Sequence, residues 1–152
     1  MKLVPLMTLR AQFGSPTKFG AGPEGTRTYA YLLGGAVEGP RLKGHFLPIG
    51  GEFGLTDARG IFRPDVRGVI ETGDGAPVYV QITGVHAVDA AAPAAGAARP
   101  GTDFGEDYFM VHLRTETGDP RYDWLNRVVV VGEARFLPDI VIEVRCYELQ
   151  NS

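Results

Sequence analysis

The chain has 152 residues, of which 44% are hydrophobic and 22% are charged, and its formal net charge is −3 at pH 7. This length accommodates one hydrophobic core, so we expect a single domain over residues 1–152. An acidic chain without a basic stripe is not expected to bind nucleic acid, and no apolar run is long enough to predict a membrane-spanning helix.

The first half of the chain consists of short stretches in which apolar and polar residues alternate, the pattern of antiparallel β-strands. Glycines and prolines separate these stretches. Strands are predicted at residues 3–12, 28–33, 41–47, 52–53, 62–71 and 78–83. Between the last two, Asp74-Gly75 predicts the tight turn of a β-hairpin.

The second half begins with residues 87–104, which are rich in Ala, Pro and Gly and predict a long loop. The sequence leaves open whether this loop acts as a lid. Strands are predicted again at residues 108–117, 127–131 and 140–149. Between the first two lies the run Asp119-Pro120-Arg121-Tyr122-Asp123-Trp124-Leu125-Asn126, whose Asp-Pro start is typical of a helix cap followed by the first helical residue. We therefore predict one short helical turn there.

These elements predict an all-β protein of roughly eight to ten strands with at most two short helices. Closing the sheet into a barrel would remove its edges, and about eight strands leave an interior that holds side chains or one small ligand. The long strands at 3–12 and 140–149 could pair and close it. We expect a closed or nearly closed antiparallel β-barrel capped by the helical turn, with a two-sheet sandwich as the alternative.

Cofactor sites are not expected from this sequence. Cys146 is the single cysteine, so no internal disulfide can form, which is typical of a cytoplasmic protein, and its phase in the last strand predicts a buried thiol. His45, His86 and His112 lack the spacing of metal ligands, so no metal site is predicted. None of the glycine pairs has the spacing of a phosphate loop.

The strand at 108–116 carries a polar face that has two interpretations. Alternation places Tyr108, His112 and Glu116 on one face and apolar residues on the other. The polar face is either a solvated exterior, or it joins Tyr79 of the neighbouring strand to line a polar lumen for a ligand.

Two charged positions suggest chemistry. Glu52 follows Gly50-Gly51, where a sharp bend would desolvate the carboxylate and raise its pKa, as general acid–base catalysis requires. The alternative is a carboxylate that accepts hydrogen bonds from turn amides. Asp65 and Arg67 share one strand face, either as a structural ion pair or as a substrate clamp.

Several motifs occur in a recognisable order along nearly the whole chain. They are Gly39-Pro40-Arg41-Leu42-Lys43-Gly44, Pro48 with Gly50, Asp65-Val66-Arg67, Thr72 with Asp74-Gly75 and Tyr79, Tyr108-Phe109, and the run from Glu116 to Asn126. In this order the chain resembles the bacterial and fungal proteins grouped as the domain of unknown function numbered thirty-two thirty-seven. The resemblance implies a lipocalin-like antiparallel barrel and supplies no established reaction.

The chain departs from that family at a few positions. The family usually has Asp-Trp at Glu52-Phe53, Arg at Met110 and Phe at Thr115. If these positions face the lumen, the resemblance implies that this protein prefers a more apolar or differently shaped ligand than its relatives. A structure that directs Glu52 and Met110 into solvent would contradict this hypothesis.

We expect a cytoplasmic barrel that binds a small molecule without a cofactor or metal. As an enzyme it would be an isomerase, cyclase or lyase acting on a hydrophobic metabolite with a carbonyl group; the alternatives are a non-catalytic carrier and an assembly protein that forms a homo-oligomer. Glu52 is the predicted proton shuttle and Glu116 the second catalytic candidate. The predicted substrate-binding residues are Arg67, Tyr79, Tyr108, Arg121, Trp124 and Asn126.

Overall fold

The alternating stretches form one antiparallel sheet that closes on itself. In the computed structural model, which describes residues 1–87 and 101–152, the sheet has ten strands. They are β1 (Lys2–Phe13), β2 (Thr17–Gly22), β3 (Gly25–Glu38), β4 (Gly44–Thr56), β5 (Phe62–Arg63), β6 (Asp65–Thr72), β7 (Pro77–Ala87), β8 (Tyr108–Glu116), β9 (Val129–Leu137) and β10 (Val141–Gln150). One 3₁₀ helix of the described residues, Pro120–Arg127, is called the capping helix below.

Eight of these strands make the barrel wall. They pair in the order β1-β3-β4-β6-β7-β8-β9-β10, and β10 returns to pair with β1 from Lys2–Gln150 to Gln12–Val141. β2 pairs with the first half of β3 beyond the edge of β1, and β5 bridges β4 and β7. The closed ring confirms the predicted antiparallel barrel and excludes the two-sheet sandwich.

The barrel interior is filled mainly by apolar side chains that alternate inward along each strand. On β8, Phe109, Val111 and Leu113 are buried while Tyr108 and Met110 are exposed. Cys146 of β10 is buried with them, as its phase in the strand predicted, and burial raises the pKa of its thiol to about 12. The apolar face of each strand therefore builds the core.

The two ends of the barrel differ. The capping helix connects the end of β8 to the start of β9, and its Leu125 is buried at this rim, which we call the capped end. Because the strands are antiparallel, the start of β8 and the end of β9 lie at the opposite rim. That rim, the cavity end, holds Phe13, His86 and Phe136.

Local predictions differ in how far the structure supports them. The hairpin at Asp74-Gly75 is confirmed, with Gly75 at a φ of +89° between β6 and β7. β9 extends beyond the predicted 127–131. The prediction stopped there because Gly132 and two charged residues interrupt the apolar pattern of the sequence. β2 was not predicted, since half of its six residues are Gly or Ala. Residues 88–100 of the predicted loop lie outside the described residues.

Within the described ranges no helix combines the length and apolar character needed to cross a membrane.

Candidate functional site

Glu52 points into the barrel at the cavity end. Its cross-strand neighbours are Ala30 on β3 and Val66 on β6, both of which are buried, and Glu52 itself is only 7% exposed. The strand reaches this position through Gly50, whose φ of +87° is strained for any residue with a side chain. A Cβ at Gly50 would also collide with the carbonyl oxygen of Arg67. The predicted glycine bend therefore exists and carries the carboxyl group inward.

The two oxygens of Glu52 are treated differently by the protein. Oε1 accepts a hydrogen bond from the backbone N–H of Asp65 at 2.7 Å. Oε2 is buried, and no described residue donates a hydrogen bond to it. Buried polar atoms without a partner are rare in proteins and call for an explanation, such as a catalytic role or a bound group.

The electrostatic setting of Glu52 suits proton transfer. Burial raises its pKa from 4.5 to about 7, the Asp65 N–H works against that rise, and the nearby Asp65 carboxylate adds to it. At neutral pH the side chain therefore exists in both protonation states. A group in this condition can both accept and donate a proton, which is what a general acid–base catalyst does.

A cavity of about 130 Å³ lies inside the barrel mouth, and Glu52 is one of the residues that line it. Its lining is mostly apolar, with three aromatic rings and few polar groups. The apolar members are Phe13, Pro16, Ala30, Phe62, Phe136, Ile140 and Ile142, and the polar members are Lys18, Thr28, Glu52 and Thr56. Such a cavity, apolar with a few placed polar groups, is typical of small-molecule sites.

Wider depressions lie on the outer wall. One of about 510 Å³ crosses β8 and β9 beside Tyr108 and Met110, and one of about 680 Å³ lies between β8 and the capping helix beside Asn126. Both are larger than the Glu52 cavity but are surface grooves without a buried unpartnered polar atom. We therefore place the candidate site at Glu52 and not in either of these wider depressions.

A buried histidine whose spacing predicted no metal site lies behind this cavity. His86 is buried on β7, and its Nε2 is 2.9 Å from Oδ2 of Asp107, while its Nδ1 has no partner among the described residues. The His86 ring packs against Phe109 and Phe136, with Phe62 farther off at 6.5 Å, and Phe62 and Phe136 also line the cavity.

The sequence contained one signal for His86. It alternates in phase with Val80 and Ile82 on β7, which predicts an inward side chain. Its partner Asp107 is 21 residues away, directly before β8, and comes beside His86 only because β7 and β8 pair, so spacing could not identify the pair.

Four predicted site residues lie on the outer wall, which corrects the interpretation of a polar lumen. Tyr79, Tyr108 and Glu116 are exposed, as is His112, because the barrel buries the apolar face of β8. Glu116 pairs with Arg114 at 2.5 Å outside the barrel and does not reach the cavity. Arg67 pairs with Asp65 at 3.3 Å on the outer face, as the structural interpretation predicted. The solvated-exterior interpretation is the one that holds.

The positions at which the chain differs from the family pattern also fall into buried and exposed groups. Glu52 points inward and Thr115 is buried, whereas Phe53 and Met110 are 46% and 40% exposed. Phe53 packs against Tyr29 on the outside, with ring centroids 5.0 Å apart. The expected effect on ligand preference therefore does not apply to Phe53 and Met110.

The remaining predicted residues lie at the capped end, across the barrel from Glu52. Arg121 pairs with Asp119 at 2.8 Å and with Asp74 at 2.9 Å, so carboxylates of nearby turns neutralise its charge. Asn126 donates to the carbonyl of Thr117 and accepts from its N–H, both at 2.9 Å. The predicted backbone contacts of Asn126 exist, but they hold the capping helix and do not meet the cavity.

Trp124 belongs to the plug of that end. The Arg41 guanidinium lies 3.7 Å from the centre of the Trp124 ring and donates to Glu148 at 2.9 Å. The structure thus does not bring Arg121, Trp124 and Asn126 together with Glu52. Among residues 1–87 and 101–152, no group of three or more His, Cys, Asp or Glu side chains is placed to hold a metal ion.

Comparison with known proteins adds a family. The family model described as "Protein of unknown function (DUF3237)" matches residues 1–149. A UPF0311 protein of Rhodopseudomonas palustris is 31% identical over 140 residues, which cover 91% of this chain and 92% of that protein.

Solved structures show the same barrel. A β-barrel-like protein from Acinetobacter baumannii is 28% identical, with a TM-score of 0.84 over 98% of this chain and 96% of the other. A chain described as an enzyme from Penicillium herquei is 23% identical, with a TM-score of 0.71 over 97% of this chain and 94% of the other. This last likeness concerns the fold alone.

Proposed function

We propose that this chain, which belongs to the DUF3237 family of proteins of unknown function, binds a small hydrophobic molecule with a carbonyl group at Glu52 and moves one of its protons. It would act as a cofactor-independent isomerase, cyclase or lyase. One observation carries the proposal: Glu52, a residue that lines an apolar cavity, has a buried carboxyl group with one oxygen fixed by a backbone N–H and the other without a hydrogen-bond partner among the described residues.

The proposed chemistry needs one residue and no cofactor. Ionised Glu52 takes a proton from the carbon next to the ligand carbonyl, and the electron pair moves onto the carbonyl oxygen to form an enolate. Protonated Glu52 then returns the proton to the same or another position. The hydroxyl groups of Thr28 and Thr56, which line the same cavity, are donors available to the enolate oxygen.

Proton exchange from a simple ketone tests this proposal. We expect the protein to accelerate the incorporation of deuterium next to the carbonyl of cyclohexanone in D₂O, followed by NMR. Glu52→Gln keeps the shape of the side chain but removes the base, so the acceleration should fall by about a hundredfold or more while cyclohexanone binding is kept.

Glu71→Gln is the matched control, because Glu71 is a half-exposed carboxylate on the outer face of β6. The Glu71→Gln variant should catalyse deuterium exchange of cyclohexanone at the wild-type rate. If Glu52→Gln exchanges as fast as wild type, Glu52 is not the base.

A non-catalytic carrier is the second candidate, and the mainly apolar lining of the cavity favours it. A carrier would bind cyclohexanone and release it without deuterium. Recovery of unlabelled cyclohexanone from protein saturated with it in D₂O would therefore support the carrier function.

The remaining parts of the proposal concern location and partners. We place the protein in the cytoplasm, which is supported by its single, buried cysteine. The small-molecule ligand is the proposed partner. Homo-oligomer formation stays a prediction, and sizing of the Arg127→Glu variant in solution would test it, since Arg127 lies on the exposed side of the capping helix and pairs only with Asp123 among the described residues.

A further inference from the structure

The polar groups of the cavity lie on different strands, and their positions limit which ligands the cavity can accept. Glu52 projects from β4 inside the barrel, whereas Lys18 projects from β2, which extends the sheet beyond the barrel rim. Lys18 lies opposite Thr28, and both line the cavity. Since Lys18 is exposed and Glu52 is buried, the cavity runs from a cationic mouth to a carboxyl group at depth.

The Lys18 ammonium has no carboxylate partner within the described parts of the chain. Arginines of the outer wall, by contrast, are held by acids, for example Arg10 by Glu143 and Arg127 by Asp123. Among the described residues Glu52 forms no ion pair with Lys18 either, and its Oε1 accepts a hydrogen bond from the backbone N–H of Asp65. The positive charge at the mouth is therefore available to a ligand. A lysine in this position can also pack its aliphatic stem against an apolar ligand.

The size of the cavity limits what lies between these two groups. An apolar protein cavity of about 150 Å³ is known to bind one benzene molecule. The Glu52 cavity, at about 130 Å³, thus has room for one six-membered ring, which can also be the ring of a slightly longer molecule. Phe13, Phe62 and Phe136 provide the flat apolar surfaces that such a ring would contact.

We propose that the ligand is a monocyclic carboxylic acid, with its carboxylate at Lys18, its ring among the three phenylalanines and its carbonyl group at Glu52. This proposal rests on the proposed function, since it names the substrate class for the same site. It assigns to Lys18 the selection of an anionic ligand and leaves the proton transfer to Glu52.

Two probes of equal size test the role of charge: 4-oxocyclohexanecarboxylate and its neutral amide, 4-oxocyclohexanecarboxamide. Affinities are measured by calorimetry at pH 7.5 in low salt. We expect wild type to bind the acid about fivefold more tightly than the amide, the range for a partly exposed ion pair. Raising the salt concentration should weaken binding of the acid and leave the amide unchanged.

Variants assign the preference to one side chain. Lys18→Met keeps the aliphatic stem, so the acid and the amide should bind equally, and Lys18→Glu should make the amide the better ligand. Lys43→Met is the matched control, because Lys43 is an exposed lysine before β4 at the capped end. It should keep the wild-type preference.

The outcomes separate this inference from the proposed function. Equal affinities of wild type for the acid and the amide, or an unchanged preference in Lys18→Met, would overturn the inference even if Glu52-dependent exchange of cyclohexanone is observed. If neither probe binds and cyclohexanone is not exchanged, the proposed function fails and this inference fails with it.

Discussion

Glu52 illustrates how much the chemical properties of a side chain depend on its surroundings. The sequence placed a carboxylate after two glycines, and this was enough to predict a bend and a desolvated acid. The burial, the single N–H donor from Asp65 and the free Oε2 depend on which residues lie across β4 in the barrel. Those neighbours come from distant parts of the chain, so the sequence could not supply them.

His86, unlike Glu52, is a residue whose surroundings the sequence did not predict. An isolated histidine on a strand is usually structural or exposed, and nothing in its immediate sequence indicates an acid. Pairing of β7 with β8 brings Asp107 to 2.9 Å from its Nε2, and the His86 ring packs against Phe109 of β8 and Phe136 of β9. Contacts with neighbouring strands therefore decide that His86 is buried and paired.

We expect His86→Phe to destabilise the protein by about 3 kcal/mol, although phenylalanine fits the aromatic surroundings. The reason is that the Asp107 side chain, which is only 7% exposed, would lose its hydrogen bond to the imidazole, and removing one member of a buried pair costs this much. Urea unfolding followed by circular dichroism measures the change. His112→Phe, at an exposed position of β8, is the control and should stay within about 0.5 kcal/mol of wild type. A His86→Phe variant as stable as wild type would show that Asp107 does not need the imidazole.

At the scale of elements, the capping helix was the best-predicted part of the chain. Asp119 accepts from the N–H of Arg121, and Pro120 occupies the first helical position, as their order in the sequence predicted. The position of the helix relative to the acid was predicted wrongly. A turn rich in Arg, Trp and Asn resembles the rim of a binding site, but its polar groups are satisfied by Thr117, Asp74 and Asp119.

This placement changes what the single tryptophan reports. Trp124 lies under Arg41 at the capped end, so a ligand at Glu52 should leave its emission wavelength and intensity unchanged. Titration of the protein with 4-oxocyclohexanecarboxylate, with calorimetry in parallel to prove binding, measures this. Arg41→Met removes the stacked cation and should alter the emission, which shows that the probe is sensitive. Emission that changes in step with binding would move the ligand to the capped end.

At the scale of the whole molecule, alternation predicted the barrel well because a closed antiparallel sheet repeats one rule along every strand. The pairing of the first and last strands followed from their length and is observed from Lys2 to Gln12. The phase of the alternation was harder to assign. A strand such as β8 has an apolar and a polar face, and only pairing with its neighbours shows that the lumen is a mainly apolar core into which Glu52 points at the cavity end. The residues named for a polar lumen therefore lie outside the barrel, whereas Glu52 points inward and its catalytic role stays a prediction.

The buried acid should also affect the stability of the whole fold. Its pKa is about 7 in the folded protein and near 4.5 for an ordinary glutamate, so between these values the folded state binds more protons than the unfolded chain. The stabilisation from protonated Glu52 is complete below pH 4.5 and is lost as the pH rises through 7. Glu52→Gln resembles the protonated form at every pH. Its free energy of unfolding relative to wild type should therefore increase by about 2–3 kcal/mol between pH 5 and pH 8.

Urea unfolding of both proteins at several pH values measures this difference, and Glu71→Gln on the outer wall serves as the control. The control difference should stay nearly constant with pH, because that carboxylate is half exposed and solvent screens its interactions. A constant difference for Glu52→Gln as well would mean that Glu52 ionises as readily in the barrel as in water. In that event burial would not hold a proton on Glu52 at neutral pH, and the cavity end would lose the property that suits it to proton transfer.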